Sequence, residues 1–157
     1  MKEYSKHLFH SLVRYCEELQ CDCEIDNAEG EISLLLDIRD DTNAYHATFV
    51  VSPIDITLLC FSPYCAEPPQ YAAAVQFMNR VNYRMYGCKL DMSYDDGSIT
   101  MTCNGMCNNE PISQERIHFM VNTVIENWAL YAKGLIHVLF ADANPKEVID
   151  NIEREGS

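Results

Sequence analysis

Eight cysteines, at positions 16, 21, 23, 60, 65, 88, 103 and 107, are the side chains of this sequence best equipped for chemistry. As thiolates they could hold a soft metal ion or attack an electrophile. Three short spacings bring them together along the chain: Cys21-x-Cys23, Cys60-x4-Cys65 and Cys103-x3-Cys107. A structural zinc site wants four soft ligands in a tetrahedron, and these spacings argue against one. No C-x-x-C knuckle occurs, and Cys21 and Cys23 point the same way only from an extended segment. A cysteine nucleophile needs a lowered pKa, a base and access. Cys65 and Cys107, in expected loops, are the best placed, but nothing in the sequence brings His46, His118 or His137 to either of them.

Other candidates are weaker still. His7 and His10 lie three apart on a helix and would chelate poorly, while Asp40-Asp41 and Asp95-Asp96 supply too few oxygens for calcium and are explained as turn residues. No phosphate-binding loop, dinucleotide fingerprint, H-E-x-x-H or G-x-S-x-G occurs. The sequence therefore assigns no catalytic residue, no cofactor and no metal ligand. Cys60, Cys88 and Cys103 fall in apolar slots of alternating strands, where a reduced cysteine acts as a small hydrophobe. A cysteine-dependent metal-binding sensor or enzyme is the alternative, and a redox role for Cys65 or Cys107 stays open.

Charge narrows the partners. Twenty-four acids against eleven bases leave −13, so a phosphate backbone finds no concentrated positive charge to release its counterions, and an anionic membrane surface is disfavoured likewise. The apolar runs are too short to span a bilayer, and charged residues interrupt the first twenty positions. One cytoplasmic domain over residues 1–157 is expected.

The elements that must position these side chains follow from periodicity. Leu8, Leu12, Tyr15, Cys16 and Leu19 sit at helical spacing between about Tyr4 and Leu19. Three strands follow: Ile32 to Ile38, Tyr45 to Val51, and Ile54 to Cys60. Pro68-Pro69 stops the sheet and suits a helix's first turn, leading to a helix from Gln70 to Met85 that Gly87 can close. "CKLDMSYDDGSITMTCNG" then alternates strictly, with Cys88, Leu90, Met92, Ile99, Met101 and Cys103 on one side. A two-residue Asp96-Gly97 turn would set Leu90 opposite Cys103 and Met92 opposite Met101. A long helix runs from Ser113 to Phe140, with Ile117, Val121, Val124, Trp128, Tyr131, Leu135 and Val138 as its seam and Gly134 as a possible bend. A short helix begins at Asn144-Pro145. The order α-β-β-β-α-β-β-α(-α) implies an α+β fold with an antiparallel sheet covered on one face.

This order, and the stretch "FMNRVNYRMYGCKLDMSYDDGSITMTCNG" in particular, resembles the YbjN family. Asn79 and Asn82 late in the middle helix, Gly87, the alternating strand, the Asp-Gly turn and the return strand carry the resemblance, together with the terminal helix containing "ENWALYAKGLIHVLF". It implies the fold of type III secretion chaperones, a loosely described role in sensory transduction regulation, polypeptide partners and a homodimer. It carries over no catalytic residue.

Read from the residues, Asn79 and Asn82 share a helix flank where their amides can satisfy main-chain groups as helix passes to strand. Leu35, Val50 and Leu59 break the polarity of the second sheet face and mark a possible partner surface. Trp128 and Tyr131 read as core seam, with a dimer contact as the sharper possibility. A non-enzymatic binding protein gripping an extended protein or peptide partner is the expectation, with no nucleic acid and no membrane involved.

Overall fold

The structure, a computed structural model, describes residues 2–156. Four helices and six strands appear in the order α1 (Lys6–Glu18), β1 (Cys23–Asp26), β2 (Glu31–Asp37), β3 (Ala44–Val51), β4 (Ile56–Phe61), α2 (Tyr71–Arg84), β5 (Cys88–Met92), β6 (Ile99–Asn104), α3 (Gln114–Phe140) and α4 (Pro145–Gly156), with a 3-10 turn at Pro68–Gln70. The strands form one antiparallel sheet in the order β1-β2-β3-β4-β6-β5. This is the α+β architecture expected, with one strand more than the periodicity revealed. β1 escaped because it is only four residues long and half acidic, so Cys23 and Ile25 alone mark its inward side. No helix among the described residues is long and apolar enough to cross a membrane.

One face of the sheet carries the core. Ile32, Tyr45, Phe49, Leu58, Leu90, Ile99 and Met101 are buried there against Leu8 and Leu12 of α1, Phe77 and Val81 of α2, and the seam of α3. All seven seam residues read from the sequence are interior. The caps also follow local chemistry. Ser5 Oγ accepts from Leu8 N–H, Ser113 Oγ accepts from Arg116 N–H, and Asn144 Oδ1 accepts from Lys146 and Glu147 N–H. Gly134 lies within the uninterrupted α3 and faces α4. A Cβ there would lie 2.8 Å from Val148 Cγ1 and 2.9 Å from Ile152 Cδ1, so the missing side chain is what lets α4 cross α3 closely.

The β5–β6 hairpin differs from its expected register by two residues. Leu90 faces Met101, Met92 faces Ile99 and Cys88 faces Cys103. A two-residue turn of the favoured type needs positive φ at both Asp96 and Gly97, whereas only Gly97 adopts it, at 74°. The turn instead takes four residues, Tyr94 to Gly97. It is closed by Ser93 N–H donating to Ser98 O and Gly97 N–H donating to Ser93 O. The β1–β2 connection follows the same plan: Gly30, at φ 69°, donates to Asp26 O. A shift of two keeps every side chain on its predicted face, which is why the burial pattern survived the wrong register.

Asn82 anchors the outer edge of β5. Its Nδ2 donates to Leu90 O (2.9 Å) and its Oδ1 accepts from Leu90 N–H (2.8 Å). Asn79, one turn earlier, is exposed and makes no such contact. Only Asn82 therefore fills the role the pair suggested. Asn82→Ala would leave two partly buried main-chain groups unpaired, at an expected cost of about 1–3 kcal/mol, measurable by urea denaturation. Asn79→Ala should be near neutral in the same assay.

Candidate functional site

The sheet face turned away from the helices is built by the odd residues of β2, β4 and β5 and the even residues of β3 and β6. Cross-strand pairing arranges them in files. One file runs Leu35–His46–Phe61–Thr100–Asp91, and its neighbour Glu24–Ser33–Thr48–Leu59–Thr102–Lys89. A third joins Glu31, Val50, Thr57 and Asn104. Threonines and charges separate four apolar side chains. Leu35 is 57% exposed and Phe61 37%, while Val50 and Leu59 are half-buried. Leu59 and Phe61 follow one another on the same side of β4, with Val50 diagonal to Leu59 and Leu35 at the far end of the Phe61 file.

Three of the five expected surface residues, Leu35, Val50 and Leu59, thus share this face. The other two do not join them. Trp128 is fully buried and Tyr131 nearly so, both facing the core side of α3, where the Trp128 ring packs against Tyr45 at 5.3 Å. A contact between copies through either ring would require opening the core. Sequence reasoning also missed two members of the face, Phe61 and His46. The signal was available in parity, since Phe61 is two residues beyond Leu59, but the strand was ended at Cys60.

The edge of the sheet adds a second feature. β1 pairs with β2 only as far as Leu34, opposite Cys23. Val51 N–H donates to Gly30 O (3.0 Å), which assigns the even residues of β2 to the bonds with β3. Leu35 and Asp37 therefore turn their main-chain groups outward, where no strand among the described residues lies beside them. A groove of about 510 Å³ opens along this edge, lined by Leu19, Leu34, Leu35 and Val121, with Asp22 and Glu24 at its rim. The other edge of the sheet is the one Asn82 and α2 occupy.

Cys65 is exposed in the loop after β4, whereas Cys107 is buried, its main-chain N–H donating to Asp55 Oδ1 (2.9 Å). Burial pushes the Cys107 thiol up, and the neighbouring Asp55 carboxylate adds to the shift. His118 Nδ1 is bonded to the Tyr15 hydroxyl (2.9 Å), His7 to Asn109 (2.9 Å), and His137 belongs to the last turn of α3. The Cys16 thiol is pushed up to about 12, first by burial and then by the thiols of Cys23 and Cys21 beside it. Among the described residues no three His, Cys, Asp or Glu side chains converge as metal ligands. Asp41, by contrast, does more than turn the chain. It accepts from Tyr45 (2.8 Å), Tyr64 (3.0 Å) and Asn43 N–H (2.9 Å), and although burial pulls the other way these bonds hold its carboxyl below the usual range.

No family model matches the chain, and no curated protein matches it. A solved structure does: the crystal structure of YbjN from E. coli, described as a candidate transcription regulator, superposes with a TM-score of 0.57. The match covers 85% of this chain and 89% of that one at 12% identity. The chain therefore has the YbjN fold.

Proposed function

We propose that this protein is a non-enzymatic binding protein that holds an extended stretch of a partner polypeptide against its open sheet. One observation supports this reading: the sheet face turned away from the helices carries four partly or fully exposed apolar side chains, of which Leu35 lies at a strand edge where Leu35 and Asp37 turn main-chain groups outward. An added strand gains affinity from main-chain hydrogen bonds and specificity from alternate side chains. Asp22, Glu24 and Asp37 around the edge, in a chain of net charge −13, favour a partner with Lys or Arg between apolar residues. The fold shared with a candidate regulator agrees with a regulatory or binding role, and the charge favours regulation through protein contact over contact with nucleic acid.

The test uses an array of extended peptides in which apolar residues alternate with lysine or arginine. Binding is expected for a subset, falling when alternate residues are replaced by proline, which cannot donate to the edge. Leu35→Glu and Phe61→Glu should each weaken that binding by about 30-fold, the effect of losing a contact near 2 kcal/mol. Unchanged affinity in both variants would remove this face from the mechanism. A homodimer through the same face is the second reading, favoured by the exposure of Leu35 and Phe61. Sedimentation at high concentration separates the two, since only a dimer would be dispersed by Phe61→Glu without any peptide present.

A further inference from the structure

Cys88 and Cys103 face each other directly across β5 and β6, and the kind of pairing at that position can be derived. Both main-chain groups of Leu90 are taken by Asn82, so they point away from β6. Alternate residues of an antiparallel strand share that orientation, which makes Cys88–Cys103 a pair without mutual main-chain bonds. Such pairs bring Cα atoms to about 4.5 Å with the side chains at their closest, inside the range that a disulfide spans. The two thiols are also close enough that each perturbs the ionisation of the other. Neither sulfur is freely exposed, but Cys103 lines a cavity of about 260 Å³ that opens between Gly105, Met106, Arg116 and Met120.

We propose that Cys88 and Cys103 form a reversible redox site, in which a hydroperoxide entering this cavity converts the pair to a cross-strand disulfide. The Cys103 thiolate attacks the terminal peroxide oxygen, forming an S–O bond as the O–O bond breaks. With hydrogen peroxide the departing hydroxide takes up the proton that Cys103 gave up, and leaves as water. The Cys88 sulfur then attacks the sulfenic sulfur of Cys103. The S–S bond forms, the S–O bond breaks, and the second hydroxide leaves as water with the Cys88 proton. Two thiols lose two electrons and two protons, and one peroxide becomes two waters. The order of roles follows from access: Cys103 lines the cavity through which the peroxide enters, and Cys88, across the strand pair, does not. Thiolate character and access together select the attacking sulfur.

The experiment treats the intact, reduced protein with equimolar hydrogen peroxide, blocks the remaining thiols under denaturing conditions, and maps the tryptic peptides by mass spectrometry. A cross-link is expected between the peptide ending at Lys89 and the peptide ending at Arg116, lost on treatment with dithiothreitol. Fragment ions must assign the second half to Cys103, because Cys107 shares that peptide. The oxidised protein should also unfold at higher urea concentration than the reduced one. Recovery of Cys88 and Cys103 as free thiols while Cys65 or the Cys16, Cys21 and Cys23 group is oxidised would overturn the proposal. In Cys88→Ser, sulfenic acid at Cys103 should accumulate and be trapped by dimedone several-fold above the parent protein, and equal labelling would sink the assigned order of attack.

Discussion

Trp128→Ala is expected to lower stability by about 3–5 kcal/mol, the range for removing a fully buried aromatic ring. That is a large share of the 5–15 kcal/mol that typically separates folded from unfolded domains. The indole has no solvent exposure and packs tilted against Tyr45, whose hydroxyl donates to Asp41 Oδ2. Deleting it would open a void under β3 and loosen the hydrogen bonds that hold the β2–β3 connection. Trp128→Phe should cost less than half as much, because a ring remains and the deleted Nε1–H has no oxygen or nitrogen acceptor among the described residues, only the Cys60 sulfur beside it. Trp128 is the only tryptophan, so unfolding should be followed by far-ultraviolet circular dichroism. A loss below about 1 kcal/mol for the alanine variant, the level of an average substitution, would contradict the packing described.

Gly97→Ala carries the second large effect. Gly97 stands at φ 74°, and a Cβ there would lie 1.9 Å from the Ala66 carbonyl oxygen. That carbonyl is main chain, and the same loop is tied to Gly97 by Ala66 N–H donating to Gly97 O (2.9 Å). The left-handed conformation costs a non-glycine residue about 1–2 kcal/mol, and forcing the two loops apart adds about 1–3 kcal/mol. Gly87 is the internal control. It has the same conformation, at φ 75°, but a Cβ there meets nothing within 4 Å, so Gly87→Ala should show only the conformational term. Equal losses in the two variants, read from urea midpoints at constant slope, would show that the close approach at Ala66 has no energetic weight.

Much of the fold was legible because period and burial coincide. The α3 seam, the caps at Ser113 and Asn144, and the sorting of β2 to β6 into two faces all follow from side chains whose preferences are local. β1 was not legible, since four residues with two acids present no alternation strong enough to compete with a loop. The hairpin register failed for a related reason. Asp-Gly favours a two-residue turn in isolation, yet the contact between Gly97 and the Ala66 loop is a tertiary condition that the dipeptide does not encode. At the candidate site, Leu35, Val50 and Leu59 were visible as apolar residues in polar slots. Trp128 and Tyr131 looked equally suited to an interface, because a helix pattern gives a face without saying what covers it.

The amide of Asn82 imitates one residue of a seventh strand, offering β5 both a donor and an acceptor at Leu90. A strand added on that side would first have to displace this amide from Leu90, whereas on the β2 side the outward main-chain groups of Leu35 and Asp37 face no partner strand among the described residues.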